Sequence, residues 1–347
     1  MLDVGVVGAS GYGGGEMLRL LLRHPEVNLK CAVSETYAGK PLTASFPGLA
    51  KRSSLRFESY GDGSHVAQCD VVFLAQENGK AMVTAPHLLE AGCKIVDLSA
   101  DFRFRDVRVY GEWYSPHVAA EWNAKAVYGL PELYADQIKA TQLVGNPGCY
   151  PTATLLALTP LLAKGLIDPT TIIVDAISGV SGAGRSKFSL DYHYPEVNES
   201  VSAYKIGGTH RHTPEIEQIL SAVAGQNVQL TFTPHLAPIT RGILATSYAT
   251  LKETADAKAL LELFNAFYAD APFVYIQEEG LPATKHTLGS NRCHIGLAVD
   301  ARNRRVVLIS AIDNLIKGMT GQAIQNMNLM CGFDETAGLQ DEGGMWP

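Results

Sequence analysis

The sequence predicts an α/β protein in which a doubly wound parallel sheet is followed by an α+β domain with a mostly antiparallel sheet. Short β-branched runs alternate with helical patterns in the first half, and a glycine-rich loop follows the first run. From about residue 172 the strands become longer and alternate polar with apolar residues. The 347 residues are 46% hydrophobic and 18% charged, which excludes a disordered or fibrous protein.

The first domain is predicted from short buried strands that alternate with helical patterns. The strands are predicted at 4–7, 29–34, 71–75 and 95–98, and the helices at 14–23 and 81–91. This order favours a parallel sheet, because a chain that re-enters a sheet in the same direction must cross over, usually through a helix.

The second domain is predicted from strands with polar and apolar alternation. These strands are predicted at 172–177, 228–234, 243–251, 293–300 and 305–310. A helical pattern at 314–327 is expected to return to the first domain, and the acidic segment 334–347 is expected to form a loose or strapped tail. The predicted domains are therefore 1–148, completed by 314–347, and 149–313.

Composition and charge exclude several classes of partner. Lys and Arg total 28 against 35 Asp and Glu, a net charge of −7 without a basic block, so we expect no nucleic acid partner. The longest uncharged run, 140–163, is broken by glycines and prolines, so we expect no membrane span. The first residues form a strand-like run without a preceding basic segment, so we also expect no secretory signal. The six cysteines lie far apart without a His/Cys cluster, which predicts no metal, no disulfide framework and a cytoplasmic location.

A glycine-rich loop, Gly8–Gly15, follows the first predicted strand and opens a helix, as a dinucleotide-binding loop does. Gly8 permits a tight turn, Gly11 lets the backbone approach a pyrophosphate, and Gly14 or Gly15 lets helix and strand pack closely. The helix amides and the positive end of the helix dipole then face the phosphates. The loop predicts a bound nicotinamide dinucleotide, and a tight turn without a ligand is the alternative.

The residues after the second predicted strand leave the choice between NAD and NADP open. An acidic residue at this point holds a ribose diol and favours NAD, as Glu35 would do. Hydroxyl groups and cations accommodate an additional phosphate and favour NADP, as Ser34, Thr36 and Lys40 would do.

Cys149 is predicted at the N-terminus of a helix. It follows a Gly-Asn-Pro-Gly turn, and after it leucines recur at helical spacing, with Pro151 suited to the first helical turn. The helix dipole and the unpaired amides favour the thiolate, which is the form that attacks a carbonyl carbon. We therefore interpret Cys149 as a nucleophile rather than a buried structural cysteine.

Two histidines lie on a loop where either can act as an acid or a base. His210 and His212 precede a helix for which Thr213 is the predicted cap, and the pattern does not separate their roles.

Two arginines are candidates for binding an anionic group. Arg185, on a glycine-bent loop, and Arg103 add cations that suit a phosphate or a carboxylate.

Six segments, in this order along the chain, resemble the N-acetyl-gamma-glutamyl-phosphate reductases of arginine biosynthesis. They are 8–14, 145–152, 175–185, 210–216, 232–242 and 313–318. The most specific are the Pro-Gly-Cys-Tyr-Pro-Thr and His-Arg-His-Thr-Pro-Glu-Ile segments. The family is similar to the aspartate-semialdehyde and glyceraldehyde-phosphate dehydrogenases, which implies a Rossmann domain plus a catalytic α+β domain.

The resemblance implies an NADPH-dependent reductase that acts through a cysteine thioester and assembles as a homodimer or homotetramer. Cys149 would be the nucleophile, and His210, or as second choice His212, the acid/base. The implied cofactor-binding residues are Gly8, Ser10, Gly11, Tyr12, Gly13, Gly14, Ser34, Ser181, Gly182 and Asn314. The implied substrate-binding residues are Arg103, Asn146, Arg185 and Glu215.

Related functions stay open. Reduction of aspartyl phosphate, or of a carrier-linked aminoadipyl phosphate in lysine biosynthesis, would use the same cysteine chemistry. The alternative from another class is a regulator that senses a nicotinamide dinucleotide and keeps Cys149 as a structural residue.

Overall fold

The computed structural model of the chain describes residues 1–186 and 189–340, and these residues form two compact units. The first unit comprises residues 1–147, 184–186 and 319–340, and the second comprises residues 148–183 and 189–318. Each unit is built around its own seven-stranded sheet.

The first unit contains a parallel sheet with helices. Its strands are β1 (Leu2–Val7), β2 (Val27–Val33), β3 (Phe57–Glu58), β4 (Val71–Leu74), β5 (Lys94–Asp97), β6 (Val127–Tyr128) and β7 (Leu143–Gly145). Its helices are α1 (Tyr12–Leu21), α2 (Ala81–Glu90), α3 (Val107–Trp113), α4 (Ala120–Asn123), α5 (Pro131–Lys139) and the last helix, Gly321–Cys331. The strand order is β3-β2-β1-β4-β5-β7-β6 and every pair is parallel, which confirms the predicted doubly wound sheet.

Apolar residues explain how this sheet and its first helix pack. All four residues of β4 are buried, as expected for a central parallel strand covered on both faces. Helix α1 buries Met17 and Leu18, while Glu16 and Arg19 form an ion pair at 2.9 Å on a more exposed face. Because all strands are parallel, their carboxyl ends share one edge of the sheet, and the loop 8–11 between β1 and α1 lies at that edge.

The second unit contains a mixed sheet. Its strands are β8 (Ile173–Gly179), β9 (Ser202–Ala203), β10 (Thr231–Ala237), β11 (Ile243–Thr250), β12 (Val274–Ile276), β13 (Cys293–Asp300) and β14 (Arg305–Ile312). Its helices are α6 (Cys149–Ala163), α7 (Tyr194–Val197), α8 (Thr213–Ala224) and α9 (Ala257–Phe267). The order is β12-β13-β14-β11-β8-β10-β9, and only the β12–β13 and β8–β10 pairs are parallel, so the predicted mostly antiparallel sheet is confirmed.

Helix α6 forms the core of the second unit. Its residues 150–162 are all buried, which requires an apolar sequence on every side of the helix. On the sheet face beneath it, the Ser310 hydroxyl donates a hydrogen bond of 2.9 Å to the carbonyl of Ala153. Ser310 pairs with Ala245 of β11, so both residues lie on the covered face and the alternate residues of these strands face away from α6.

Some predicted elements differ from the structure at their ends. The strand predicted at 228–234 begins at Thr231, and Thr213 is the first residue of α8 rather than its cap. The helical pattern at 314–327 is divided, because Ile316–Thr320 forms a π-helical turn before α10 (Gly321–Cys331). In that turn the Gly318 N–H donates to the Asp313 carbonyl at 2.9 Å, five residues back, which is the π-helical spacing.

The segment after α10 is bound to the first unit. The Asn328 side-chain amide donates to the carbonyls of Glu335 and Ala337 at 3.1 and 2.9 Å, and Leu339 is buried. The predicted tail, 334–347, is therefore strapped down as far as residue 340, and its last part, 341–347, lies outside the described residues.

Across residues 1–186 and 189–340, no helix combines the length and apolar character needed to cross a bilayer. In the same ranges, no cluster of three or more His, Cys, Asp or Glu side chains is arranged to hold a metal ion.

Candidate active site

The glycine loop of the first unit has the backbone that a pyrophosphate requires. Gly8 has φ +87°, and a Cβ there would lie 2.2 Å from the Ala75 carbonyl oxygen, so only glycine fits. A Cβ on Gly14 would lie 2.5 Å from backbone atoms of Ala9, which explains the close helix–strand contact. At Gly11 the nearest such atom is 3.9 Å away, so this side of the loop is open for a ligand to approach.

Helix α1 presents its first amides at this loop. Gly11 is the N-cap residue, and the first helical hydrogen bond runs from the Gly15 N–H to the Gly11 carbonyl at 2.9 Å. The preceding amides, those of Tyr12, Gly13 and Gly14, have no carbonyl partner within the helix. These amides and the open side of Gly11 fit the phosphates of a dinucleotide.

Two serine hydroxyl groups meet beside the loop. The Oγ atoms of Ser10 and Ser34 lie 2.7 Å apart, and Ser34, directly after β2, is buried. The Tyr37 N–H donates to the Ser34 hydroxyl at 3.3 Å. The neighbouring Glu35 carboxylate accepts a hydrogen bond of 2.8 Å from the Tyr60 N–H. The Ser34 hydroxyl at the end of β2 therefore lies next to the loop, whereas the Glu35 carboxylate is hydrogen-bonded to the backbone of Tyr60.

Arg185 lies in the first unit, next to the glycine loop. Its guanidinium donates to the Ser10 carbonyl at 3.2 Å and to the Tyr37 hydroxyl at 3.4 Å, and it also donates to the Ser45 hydroxyl. The structure thus places this predicted substrate residue beside one predicted cofactor residue, Ser10, and beside Tyr37 and Ser45, to which the sequence assigned no role.

Arg103 and Asn146, also expected at the substrate, are bonded within the first unit. Arg103 donates to the carbonyls of Asn146 and Leu98 at 2.7 and 2.9 Å, and both side chains are largely buried. The Asn146 side-chain amide donates to the Met319 carbonyl at 3.0 Å and its oxygen accepts from Asn326 at 3.0 Å. These bonds connect the ends of β5 and β7 with Met319 and with Asn326 of the last helix, and the substrate-binding role of both residues stays a prediction.

Cys149 occupies the first position of α6, as predicted. Gly148 is the cap residue with an extended backbone, and its N–H donates to the Glu215 carboxylate at 2.8 Å. The Cys149 side chain is half-buried, whereas Cys31, Cys69, Cys93 and Cys293 are buried. The helix dipole favours the thiolate at position 149.

The other cysteines provide a contrast. Burial raises the pKa of the Cys93 thiol to about 11 and also raises the pKa of the Cys331 thiol. Neither thiol lies at a helix N-terminus: Cys331 ends α10, where the dipole opposes a negative charge. Nucleophilic chemistry is therefore favoured at Cys149 and disfavoured at these two residues.

Gly318 fixes the position of Cys149 from the π-helical turn. A Cβ on Gly318 would lie 2.8 Å from the Cβ of Cys149 and 3.2 Å from its Cα, so a larger residue would displace the nucleophile. Sequence reasoning did not assign a role to Gly318, although it ends the Asp313–Gly318 segment that carried the family resemblance.

His210 is a buried, neutral imidazole. Its side chain is only 8% exposed, and its Nδ1 accepts a hydrogen bond of 3.1 Å from the His212 N–H. Burial lowers the pKa of His210 to about 2, and the positive charges of His212, Lys205 and Arg211 lower it further. Because Nδ1 is the acceptor, the proton of the neutral ring lies on Nε2, which makes Nε2 a hydrogen-bond donor.

Aromatic rings connect His210 with Cys149. The His210 ring lies edge-on to Tyr150 and Tyr204, each at 5.6 Å between centroids, and to Phe232 at 5.2 Å. Burial raises the pKa of Tyr204, and the negative charge of the Cys149 thiolate raises it further. Tyr150 directly follows Cys149 in the chain, so its contact with the His210 ring brings the predicted nucleophile and the predicted acid/base into one site. No sequence pattern singled out Tyr204.

Three predicted cofactor residues of the second unit lie together. The Asn314 side-chain amide donates to the Ser181 hydroxyl at 3.0 Å and its oxygen accepts from the Gly242 N–H at 2.7 Å. A Cβ on Gly182 would lie 3.7 Å from the same amide nitrogen. Glu215, predicted at the substrate, is fully buried and bonded to Gly148 as described above.

Comparison with known proteins assigns both units. Residues 3–141 match the model of the semialdehyde dehydrogenase NAD binding domain, and residues 149–314 match that of the semialdehyde dehydrogenase dimerisation domain. The chain resembles a solved aspartate semialdehyde dehydrogenase II from Vibrio cholerae, with a TM-score of 0.75, 16% identity, and coverage of 96% of this chain and 98% of the other. At this identity the likeness shows the fold alone.

Curated relatives are much closer in sequence. The chain is 53% identical to the N-acetyl-gamma-glutamyl-phosphate reductase of Symbiobacterium thermophilum, over 100% of this chain and 99% of the relative. It is 52% identical to the enzyme of the same name from Geobacter metallireducens, over 98% of each chain. The resemblance carried by the six segments is confirmed. The chain therefore belongs to the N-acetyl-gamma-glutamyl-phosphate reductases, a family of oxidoreductases of arginine biosynthesis.

Proposed function

We propose that the chain reduces N-acetyl-gamma-glutamyl phosphate to N-acetyl-L-glutamate 5-semialdehyde and phosphate, with NADPH as reductant and a thioester on Cys149 as intermediate. The observation that carries this proposal is the position of Cys149 at the start of α6, where the next residue, Tyr150, contacts the buried His210 ring. The names of the relatives and the NAD binding domain support the reaction class.

Cys149 divides a difficult reduction into two steps. Its thiolate attacks the carbonyl carbon of the acyl phosphate, a C–S bond forms, and the C–O bond to phosphate breaks with its electron pair leaving on phosphate. When bound, the reduced nicotinamide supplies the hydride that converts the thioester to the semialdehyde level. The C–S bond then breaks, the electron pair returns to the Cys149 sulfur, and the aldehyde leaves.

His210 stabilises the oxygen of the reacting carbonyl in this scheme. Negative charge develops on that oxygen when the thiolate attacks and again before the aldehyde is released. The His210 Nε2–H is a donor because Nδ1 accepts the His212 N–H, and burial keeps the ring neutral. A fixed donor in a buried site stabilises such an oxyanion without reorganisation of water.

A reverse assay tests the proposed function. The wild-type chain receives N-acetylglutamate semialdehyde, phosphate and NADP, and formation of NADPH is followed by absorbance. We expect NADPH only when phosphate is present, and none from Cys149→Ala, which should still bind NADPH. Phosphate-independent turnover, retained activity of Cys149→Ala, or a preference for aspartate semialdehyde would contradict the proposal.

We also propose that the chain is a homo-oligomer in which a second copy covers the open face of the second unit's sheet. The register places Leu244 beside Ile177, and Thr246 beside Ile309, on the face opposite α6. These four side chains are only half-buried. An apolar face of this kind is typical of subunit interfaces, and the matched family model is described as a dimerisation domain.

Light scattering of purified variants tests this assembly. Ile309→Glu should shift the mass of the particle to that of one chain, because it buries a charge in the proposed interface. Val118→Glu, at an exposed site of the first unit, is the matched control and should leave the mass unchanged. A wild-type mass equal to one chain would refute the proposal.

A cytoplasmic location is proposed on the cysteine chemistry. All six cysteines are reduced, and the Sγ atoms of Cys31 and Cys69 approach to 3.8 Å without forming a bond. Reduced cysteines fit a reducing compartment.

A further inference from the structure

We infer that Arg185 recognises the 2′-phosphate of the dinucleotide and thereby determines the preference for NADPH over NADH. The inference rests on the proposed function, since it concerns the cofactor of that reaction. Arg185 belongs to the segment 184–186. This segment is part of the first unit, although it is distant in sequence from the glycine loop.

The guanidinium of Arg185 is held at one place by neutral groups. It donates to the Ser10 carbonyl, the Tyr37 hydroxyl and the Ser45 hydroxyl, and its carbon lies 5.8 Å from the Tyr37 ring and 5.6 Å from the Phe46 ring. Among residues 1–186 and 189–340, no carboxylate lies within ion-pair distance of it. Its positive charge therefore stays available for an anionic ligand.

The position of this charge matches the ribose end of a dinucleotide. In a dinucleotide-binding sheet the residues after the second strand face the adenosine ribose, and Ser34 is the first residue after β2. The Ser34 hydroxyl lies 2.7 Å from that of Ser10, whose carbonyl accepts from Arg185. Tyr37 links the same groups, since its N–H donates to Ser34 and its hydroxyl accepts from Arg185.

The neighbouring charges favour a phosphate at this place. The Glu35 carboxylate, which would repel a phosphate, is bound by the Tyr60 N–H at 2.8 Å. The Lys40 Nζ lies 5.5 Å from the centroid of the Tyr37 ring, so two cations flank one tyrosine. Two cations and a pair of hydroxyl groups form the donor set that a phosphate monoester takes.

The contacts distinguish this role from substrate binding. Within residues 1–186 and 189–340, the hydrogen bonds and ring contacts of the Arg185 guanidinium are all with residues 10–46 of the first unit, which include the loop that is expected to hold the cofactor. A residue dedicated to the acyl phosphate would instead be held by the residues around Cys149.

Binding titrations on the full chain test the inference without relying on turnover. The change is Arg185→Met, which keeps the length of the side chain and removes its charge. The probes are 2′,5′-ADP and 5′-AMP, which differ in the 2′-phosphate alone, followed by NADPH and NADH. We expect the Kd values for 2′,5′-ADP and NADPH to rise about 10- to 100-fold, the loss typical of a charge-assisted hydrogen bond. The Kd values for 5′-AMP and NADH should change less than about twofold.

Two further variants serve as controls. Arg108→Met removes an exposed arginine of the same unit that pairs with Asp106, and it should leave all four Kd values unchanged. Arg185→Lys should retain part of the preference because it keeps the charge but not the planar donors. Unchanged binding of 5′-AMP by Arg185→Met also shows that the variant is folded.

Two results would overturn the inference. An equal loss for NADPH and NADH would assign Arg185 to general loop stability. An unchanged Kd for NADPH, together with a raised KM for the acyl phosphate, would assign it to the substrate. Failure of the proposed function is distinguishable, because it would appear as a wild-type enzyme without phosphate-dependent NADPH formation.

Discussion

The Glu215 carboxylate accepts a hydrogen bond of 2.8 Å from the N–H of Gly148, the residue directly before Cys149. Glu215 lies in the first turn of α8 and is fully buried, so the starts of α6 and α8 are joined by one side chain. The bond fixes the turn that presents the nucleophile.

Replacing Glu215 by Ala should weaken both stability and catalysis. The Gly148 N–H would lose its acceptor inside the protein, which costs about 1.5–3 kcal/mol for a hydrogen bond to a charged group. We expect a lower free energy of unfolding in urea and a kcat reduced about 10- to 100-fold by displacement of Cys149. Glu215→Gln keeps an acceptor and should retain most of the stability; equal losses for both variants would show that the charge matters rather than the bond.

Replacing Gly318 by Ala should reduce kcat with little change in cofactor binding. The added Cβ would lie 2.8 Å from the Cys149 Cβ, so the nucleophile must move by several tenths of an ångström. We expect a loss on the order of 10- to 100-fold in kcat, measured together with the Kd for NADPH. Gly111→Ala, in α3 with no atom within 4 Å of its Cβ, is the matched control and should keep full activity. Normal kcat in Gly318→Ala would contradict the packing argument.

Alkylation by iodoacetamide near pH 7 should be selective for Cys149. Burial raises the pKa of Cys93 to about 11 and raises that of Cys331, so few of these thiols are ionised at this pH. Mass spectrometry of tryptic peptides against time should show Cys149 labelled first, and added substrate should slow that labelling. Cys149→Ser should abolish the fast phase, whereas Cys331→Ser should keep it. Uniform labelling of all six cysteines would instead favour the alternative function, a regulator that senses a nicotinamide dinucleotide and keeps Cys149 as a structural residue.

Single substitutions of His210 and His212 should separate their roles. His210→Asn removes the Nε2–H donor of the buried ring and should lower kcat about 10²- to 10³-fold, as the loss of an oxyanion donor does. His212→Asn should cost less: it removes the ring contact with His210 at 4.9 Å between centroids but keeps the backbone N–H that donates to His210 Nδ1. The pH–rate profile should keep its shape in His212→Asn; a larger loss there would assign the catalytic role to His212.

Stability should fall as the pH is lowered below about 6.5, the pKa of an unfolded histidine. Burial lowers the pKa of His210 to about 2 in the folded chain, so the unfolded state binds the proton and the folded state does not. Each pH unit below 6.5 should therefore cost up to about 1.4 kcal/mol from this residue. The free energy of unfolding in urea, measured at pH 7.5 and at pH 5.5, should be lower at pH 5.5. This difference should be smaller in His210→Gln and unchanged in His87→Gln, a control at an exposed site.

Local patterns explain which parts of the sequence could be interpreted. The glycine loop, the strand β13 and the helix start at Cys149 depend on residues close together in the chain, so their sequence patterns predicted them correctly. The same is true of the parallel sheet, which follows from the order of strands and helices. The start of a helix does not follow directly from such a pattern, as the π-helical turn before α10 shows.

Contacts between distant residues explain what the sequence could not predict. Arg185 bonds to Ser10, 175 positions away, and Glu215 bonds to Gly148, 67 positions away. No spacing rule connects such pairs. Arg103 and Asn146 were expected at the substrate because of their chemistry, yet their bonds to backbone carbonyls and amides depend on where the strands end.

The discontinuous make-up of the first unit has a consequence for biosynthesis. Helix α10, whose residues 321–330 are all buried, donates from Asn326 to the Gly129 carbonyl and to Asn146. A ribosome adding about 5–20 residues per second completes this helix only after the second unit, 148–318, has been synthesised. The N-terminal half therefore waits, incomplete, for many seconds while the rest of the polypeptide is synthesised. The apolar surface that α10 covers is exposed during that interval, which makes the unfinished chain prone to aggregation.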